Sequence, residues 1–180
     1  MIVNEAGEAC FKIVVLGTTD PIELLNALHA AAKPELRGEL ESSGDAQWTV
    51  ASFKLSFAGL QSKGRPVQAE LFAHRGHGFL AAASAELKHA FADTDAMIVR
   101  AGPDVTDDIN RSANLLTSAG LGAGVVIVLE APTGGPELAD EAASHYAPRP
   151  SHVVTGTATP LELLKLAVKG MLAREARKPD

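Results

Sequence analysis

The chain has 180 residues, 46% of them hydrophobic and 21% charged, with a formal net charge of −6. That length and balance fit one folded domain with a real core and exclude a disordered chain. The negative charge excludes broad nucleic-acid binding, and a single cysteine, Cys10, excludes an internal disulfide or a Cys-rich metal site.

In chain order, Met1-Ile2-Val3-Asn4-Glu5 carries acid where a signal peptide carries base. Phe11 to Leu16 is apolar and β-branched and stops at Gly17, which predicts a buried strand. Pro21 to Ala32 predicts a helix: Ile22, Leu25, Leu28 and Ala32 recur at helical spacing, and Asp20 with Glu23 forms a capping box around Pro21. Lys33 to Asp45 is polar and is expected as loop. Two strands follow, about Val50–Ala58 and Pro66–Phe72, with turn residues Gln61 to Arg65 between them, so a hairpin is expected. Gly76 and Gly78 break the chain before an Ala-rich helix over Phe79–Ala92. Strand Ala96–Arg100, helix Asp107–Ser118, strand Val125–Leu129, helix Leu138–Tyr146 and strand Ser151–Val154 alternate from there. A long helix closes the chain from Thr159 to about Arg177, with a capping box at Thr159 and Glu162. No apolar run approaches the ~20 residues that cross a bilayer, and the expected location is cytoplasmic.

The order is β-α-β-β-α-β-α-β-α-β-α, an α/β domain with a mostly parallel sheet and one antiparallel strand. Ligands of such sheets bind beyond the carboxyl ends of the strands, so the loops there hold the functional information. The first runs Gly17-Thr18-Thr19-Asp20-Pro21-Ile22-Glu23-Leu24. A phosphate-binding loop has the pattern GxxxxGK[ST], in which glycine backbone curls around the phosphates, lysine neutralises them and a hydroxyl holds magnesium. Gly17 matches the first position, but Ile22, Glu23 and Leu24 stand where the second glycine, the lysine and the hydroxyl belong. Asp20 and Glu23 also bring negative charge to a helix N-terminus that would otherwise attract an anion. The expectation is an anion site closed by the protein's own carboxylate, with no cofactor.

The loop Ala73-His74-Arg75-Gly76-His77-Gly78 lacks the aspartate a magnesium-dependent hydrolase needs there. His74 and His77 are spaced like two metal ligands but no third accompanies them, so no metal is expected. Leu129-Glu130-Ala131-Pro132 places Leu129 and Pro132 where a guanine-reading loop needs Asn and Asp. Asp104, Asp107 and Asp108 fit the first turn of a helix. Cys10 fits a packing role, and Trp48 is equally a core-edge residue or a partner anchor.

Cys10 to Gly17, Leu55-Ser56-Phe57-Ala58-Gly59 with Lys63-Gly64, Leu71 to His77, Ala96 to Arg100, and Leu163 to Val168 with Leu172 together resemble a small Ras-like GTPase of the bacterial MglA type. The resemblance covers about residues 10–176 and is one of pattern and order. It implies a three-layer Ras-like fold: a six-stranded mixed sheet with helices on both faces, in one domain over 1–180 with terminal extensions at 1–9 and 178–180. His77 stands where that family has a glutamine. The family's lysine, magnesium hydroxyl and base-reading pair are replaced, which implies a pseudo-GTPase in a polarity or regulatory module, with a roadblock-type regulator as the partner class. Trp48, Thr49, His74, Arg75, Gly76, His77 and Phe79 would form its switch-like partner surface.

Two other classes compete. An atypical GTPase would bind GTP or GDP with magnesium and draw its cation from elsewhere, Arg75 or Lys54. A pseudo-receiver would use Asp20, but its sheet has no place for a hairpin ahead of residue 72.

Overall fold

The computed structural model describes residues 2–17, 20–44, 49–75 and 91–177. The first strands are β1 (Ile2–Val3) and β2 (Ala9–Gly17), followed by helix α1 (Pro21–Ala31). After a short 3-10 turn at Pro34–Leu36 come β3 (Glu41–Gly44), β4 (Thr49–Ser62) and β5 (Arg65–Arg75). The second half holds β6 (Ala96–Arg100), α2 (Val105–Ser118), β7 (Val126–Ala131), α3 (Pro136–Tyr146), β8 (Ser151–Thr155) and α4 (Pro160–Ala176). The helix expected at Phe79–Ala92 lies almost wholly outside the described residues.

One sheet runs β3-β4-β5-β2-β6-β7-β8, with β1 pairing on β2. β2 is parallel to both β5 and β6, β7 and β8 continue in parallel, and β4 is antiparallel to β5. Without β1 and β3 the order is that of a Ras-like G domain, with its single antiparallel strand in the expected place. An antiparallel β4 does not fit the all-parallel sheet of a receiver.

The described sheet has eight strands where six were expected. The first addition, β1, pairs antiparallel with the start of β2, within the segment expected as a terminal extension. The second corrects the loop expected at Lys33–Asp45: Glu41-Ser42-Ser43-Gly44 forms the edge strand β3 on β4. Its side chains are all exposed, so no hydrophobic alternation announces it; backbone pairing alone makes it a strand.

The strand pattern explains the layers. Ile13 and Val15 of β2 join the core beneath α1 and α4, while Val14 and Leu16 join the core beneath α2 and α3. Successive residues of a strand face opposite sides, so a sheet covered on both faces needs apolar residues at every position. Leu24, Leu25 and Leu28 of α1 and Leu163, Ala167 and Met171 of α4 seal one face. Leu115 and Leu116 of α2 with Leu138 and Tyr146 of α3 seal the other.

Turn chemistry holds the hairpin. Lys63 (φ +49°) and Gly64 (φ +75°) form a two-residue loop between the Ser62 and Arg65 pair, the left-handed turn whose twist matches the strands. β4 runs beyond its expected end at Ala58 because its register shifts between Phe57 and Gln61, where Gly59 adopts φ +76°. On α4, Arg174 bonds Asp95 Oδ1 at 2.6 Å and Glu175 Oε1 at 2.7 Å. These charge-assisted contacts tie the last helix to the entrance of β6.

Candidate functional site

β2, β5, β6, β7 and β8 all end on one edge of the sheet, and there the structure places the loops singled out above. β2 ends at Gly17 and α1 begins at Pro21, so three residues, 18–20, connect them. The phosphate-loop pattern needs four residues between its glycines before the helix turns inward. This connection is a residue short, because Pro21 already occupies the first turn of α1.

The Asp20 carboxylate accepts from the Ile22 N–H at 2.9 Å, occupying a helix-terminal donor that an anion would otherwise use. The expected capping box is corrected. Among the described residues the cap bond goes to Ile22 rather than Glu23, and Glu23 is exposed on the first turn. A full capping box occurs instead on α4. There Thr159 Oγ1 accepts from Glu162 N–H at 3.3 Å and Glu162 accepts from Thr159 N–H at 2.8 Å. The Thr159 N–H and hydroxyl hold the Glu162 carboxyl below its ordinary pKa. Of the positions aligned with the missing phosphate-loop residues, Ile22 is half-buried and Leu24 is fully buried in the core. Leu24 is therefore committed to packing, not merely a hydroxyl replaced.

The next strands close the edge from the other side. Arg100 ends β6 and Glu130 lies opposite it in β7. Arg100 Nε meets Glu130 Oε2 at 2.5 Å, with side chains 28% and 8% exposed. Gly17 is the register neighbour of Arg100 on β2, so this ion pair sits beside the strand end from which a phosphate loop would spring. The pair was missed from sequence as a unit. Its trace is there: Ala96-Met97-Ile98-Val99 ends in a cation and Val126-Ile127-Val128-Leu129 ends in an anion, at matching positions of adjacent strands. Leu129, at the expected base-reading position, is fully buried, and Pro132 is exposed.

The three aspartates before and within α2 act structurally. Asp104 caps the helix through Asp107 N–H at 3.2 Å, Asp107 pairs with Arg111, and buried Asp108 accepts from Gly102 N–H at 2.7 Å. A cleft of about 550 Å³ opens between the β6–α2 and β7–α3 loops, with Asp104, Glu137 and Glu141 in its wall. Carboxylates there oppose a phosphate rather than bind it.

The β4–β5 pairing brings part of the switch-like surface together: Thr49 lies opposite Arg75 and Val50 opposite His74. Burial lowers the His74 pKa below its usual value. Thr18, Thr19, Trp48, Gly76, His77 and Phe79 lie outside the described residues. Cys10 Sγ lies 3.8 Å from Gln68 Oε1, and burial, with help from nearby Glu8, raises its thiol pKa. Lys54, the alternative cation, lies opposite Glu70, midway along the hairpin from Thr49 and Arg75.

No family model matches the chain, and no curated protein does. Among solved structures it is similar to the G domain of the T. maritima FeoB iron transporter, at 16% identity over 94% of this chain and 100% of that one, with a TM-score of 0.49. It is also similar to GDP-bound T. brucei IFT22, at 13% identity over 93% and 99% of the two chains, with a TM-score of 0.45. The small GTPase-like fold rests on the strand order and directions given above.

Proposed function

We propose that this chain is a pseudo-GTPase: a small GTPase-like domain that works as a nucleotide-independent protein-interaction and regulatory module. The observation that carries this reading is the Asp20 carboxylate on the Ile22 N–H, at the end of a connection too short to wrap a phosphate. The Arg100–Glu130 pair supports it, because the cation that ends β6 beside Gly17 is already paired with the protein's own carboxylate. Burial of Leu24 and Leu129 supports it again: restoring a magnesium hydroxyl or a base-reading amide at either position would disturb the core. Thr49, His74 and Arg75, with the residues around them, form the partner surface. The setting is a bacterial polarity or motility system of the MglA kind, with a roadblock-type regulator as partner class.

Isothermal titration of the purified chain with GTP and GDP in magnesium tests the reading. The expected result is no binding at Kd below about 10 µM. Tighter binding, or nucleotide released on heat denaturation, would establish the atypical GTPase instead.

A further inference from the structure

A second surface starts at the β8–α4 loop and follows the last helix. A groove of about 690 Å³ runs beside α4, walled by Phe57 and Leu60 of β4, Val154 of β8, and Leu166 and Leu172 of α4. Four of these, Phe57, Val154, Leu166 and Leu172, are only half-buried against the main core. Leu60 is 39% exposed, and the register shift that carries it is a local device: the ladder passes from Phe57 opposite Val67 to Gln61 opposite Pro66. Bulges of this kind re-aim side chains.

The rim supplies the polarity. Lys165 and Lys169 line the groove and are both exposed, one helical turn apart. Like charges at that spacing repel. Lys169 has no acid three or four residues away, whereas Lys165 has Glu162, whose carboxylate is bonded to the Thr159 cap and also feels the Lys165 charge. Two lysines and one carboxylate, Glu162, thus edge an apolar floor, a rim of net positive charge on a chain of net charge −6, which calls for an occupant with apolar anchors and acids facing Lys165 and Lys169. From Glu162 to Leu172 the groove follows α4 for ~15 Å, enough for anchors at i, i+3 or i+4, and i+7 of a docked helix. A second copy fits poorly: each brings the same net negative charge, and pairing α4 on α4 sets lysine against lysine. A bilayer fits poorly as well, since the apolar residues line a groove and two lysines contribute only about 1 kcal/mol each at an anionic surface.

We infer that this groove docks an acidic amphipathic helix of a partner protein. The inference uses none of the residues on which nucleotide independence rests, so either can fail alone.

The probe is a fluorescein-labelled synthetic helix of about 15 residues, with leucines on one face and glutamates flanking them. Its anisotropy is followed against the full chain. Saturable micromolar binding is expected. Lys165→Glu with Lys169→Glu should weaken it roughly tenfold, and Leu60→Asp by a similar factor. A peptide with lysines in place of the glutamates should bind the charge-reversed variant better than the unaltered chain. All three substitutions are on exposed residues, and urea midpoints matching the unaltered chain verify their folding. Absence of peptide binding, or binding indifferent to these substitutions, overturns the inference. So does a lysine-dependent dimer in sedimentation, or lysine-dependent binding to phosphatidylserine vesicles with no response to the peptide.

Discussion

Replacing Arg100 by Met tests whether the carboxyl edge is closed by an internal ion pair. The change keeps the aliphatic stem and removes the cation that meets Glu130 Oε2 at 2.5 Å. Glu130, with a side chain 8% exposed, would then hold its charge with little access to water. Breaking a buried pair in this way typically costs about 3–5 kcal/mol, and the partial exposure of Arg100 brings the expectation to about 2–3 kcal/mol. For a chain of this size that lowers Tm by roughly 5–10 °C. The double variant Arg100→Met/Glu130→Leu removes both charges and should lie within about 1 kcal/mol of the unaltered protein, a coupling near 2 kcal/mol. Equilibrium urea unfolding of the four proteins measures that cycle. If nucleotide independence rests on Asp20 and the short connection, as proposed, the double variant should not bind GDP either. A single variant costing under ~0.5 kcal/mol would show that water already compensates Glu130, and the ion pair would no longer count toward a closed edge.

Three further outcomes follow from local geometry. Tyr146 is the chain's one tyrosine, buried and 2.7 Å from Ser112 Oγ, with its pKa pushed up to about 12 by burial. The unfolded phenol ionises near pH 10, so stability is full below that and falls by about 2 kcal/mol as pH rises to 12; phenolate absorbance should grow only with unfolding, and Tyr146→Phe should abolish this alkaline loss. Burial lowers the pKa of His74, so the unfolded chain binds that proton more readily. Stability from this group is full above about pH 6.5 and declines as pH falls through the lower folded value; urea midpoints across that range should flatten in His74→Gln. Gly170→Ala in α4 would ordinarily gain about 1 kcal/mol of helix propensity. Here the added Cβ would lie 2.6 Å from Val126 Cγ1, so a net loss of about 1–2 kcal/mol is expected by thermal unfolding, partly relieved by adding Val126→Ala.

Most elements were legible because their signals are local. Val14-Val15-Leu16 and Val126-Ile127-Val128 need both faces covered, and such runs fit a buried parallel sheet. Thr159 and Glu162 close a capping box within four residues, so the start of α4 is marked in the sequence itself. Asp20 and Glu23 have the same spacing, yet the structure uses only Asp20 as a cap. The pattern is permissive, and the orientation of the first turn decides which N–H the carboxylate meets. Strand β3 left no trace, because Glu41-Ser42-Ser43-Gly44 pairs through its backbone alone.

The candidate site divides in the same way. That Glu23, Leu24, Leu129 and Pro132 do not match the phosphate-loop and base-reading patterns is a matter of side-chain identity at fixed spacing, visible before any fold is known. That Leu24 and Leu129 are core residues depends on which helix and strand faces meet. The Arg100–Glu130 contact joins residues 30 positions apart, and the apolar groove brings β4 against β8 and α4 across a still longer separation. Periodicity along a chain reports which face of an element is apolar; only packing decides what each face meets, and so which charges are neutralised and which apolar faces are left open.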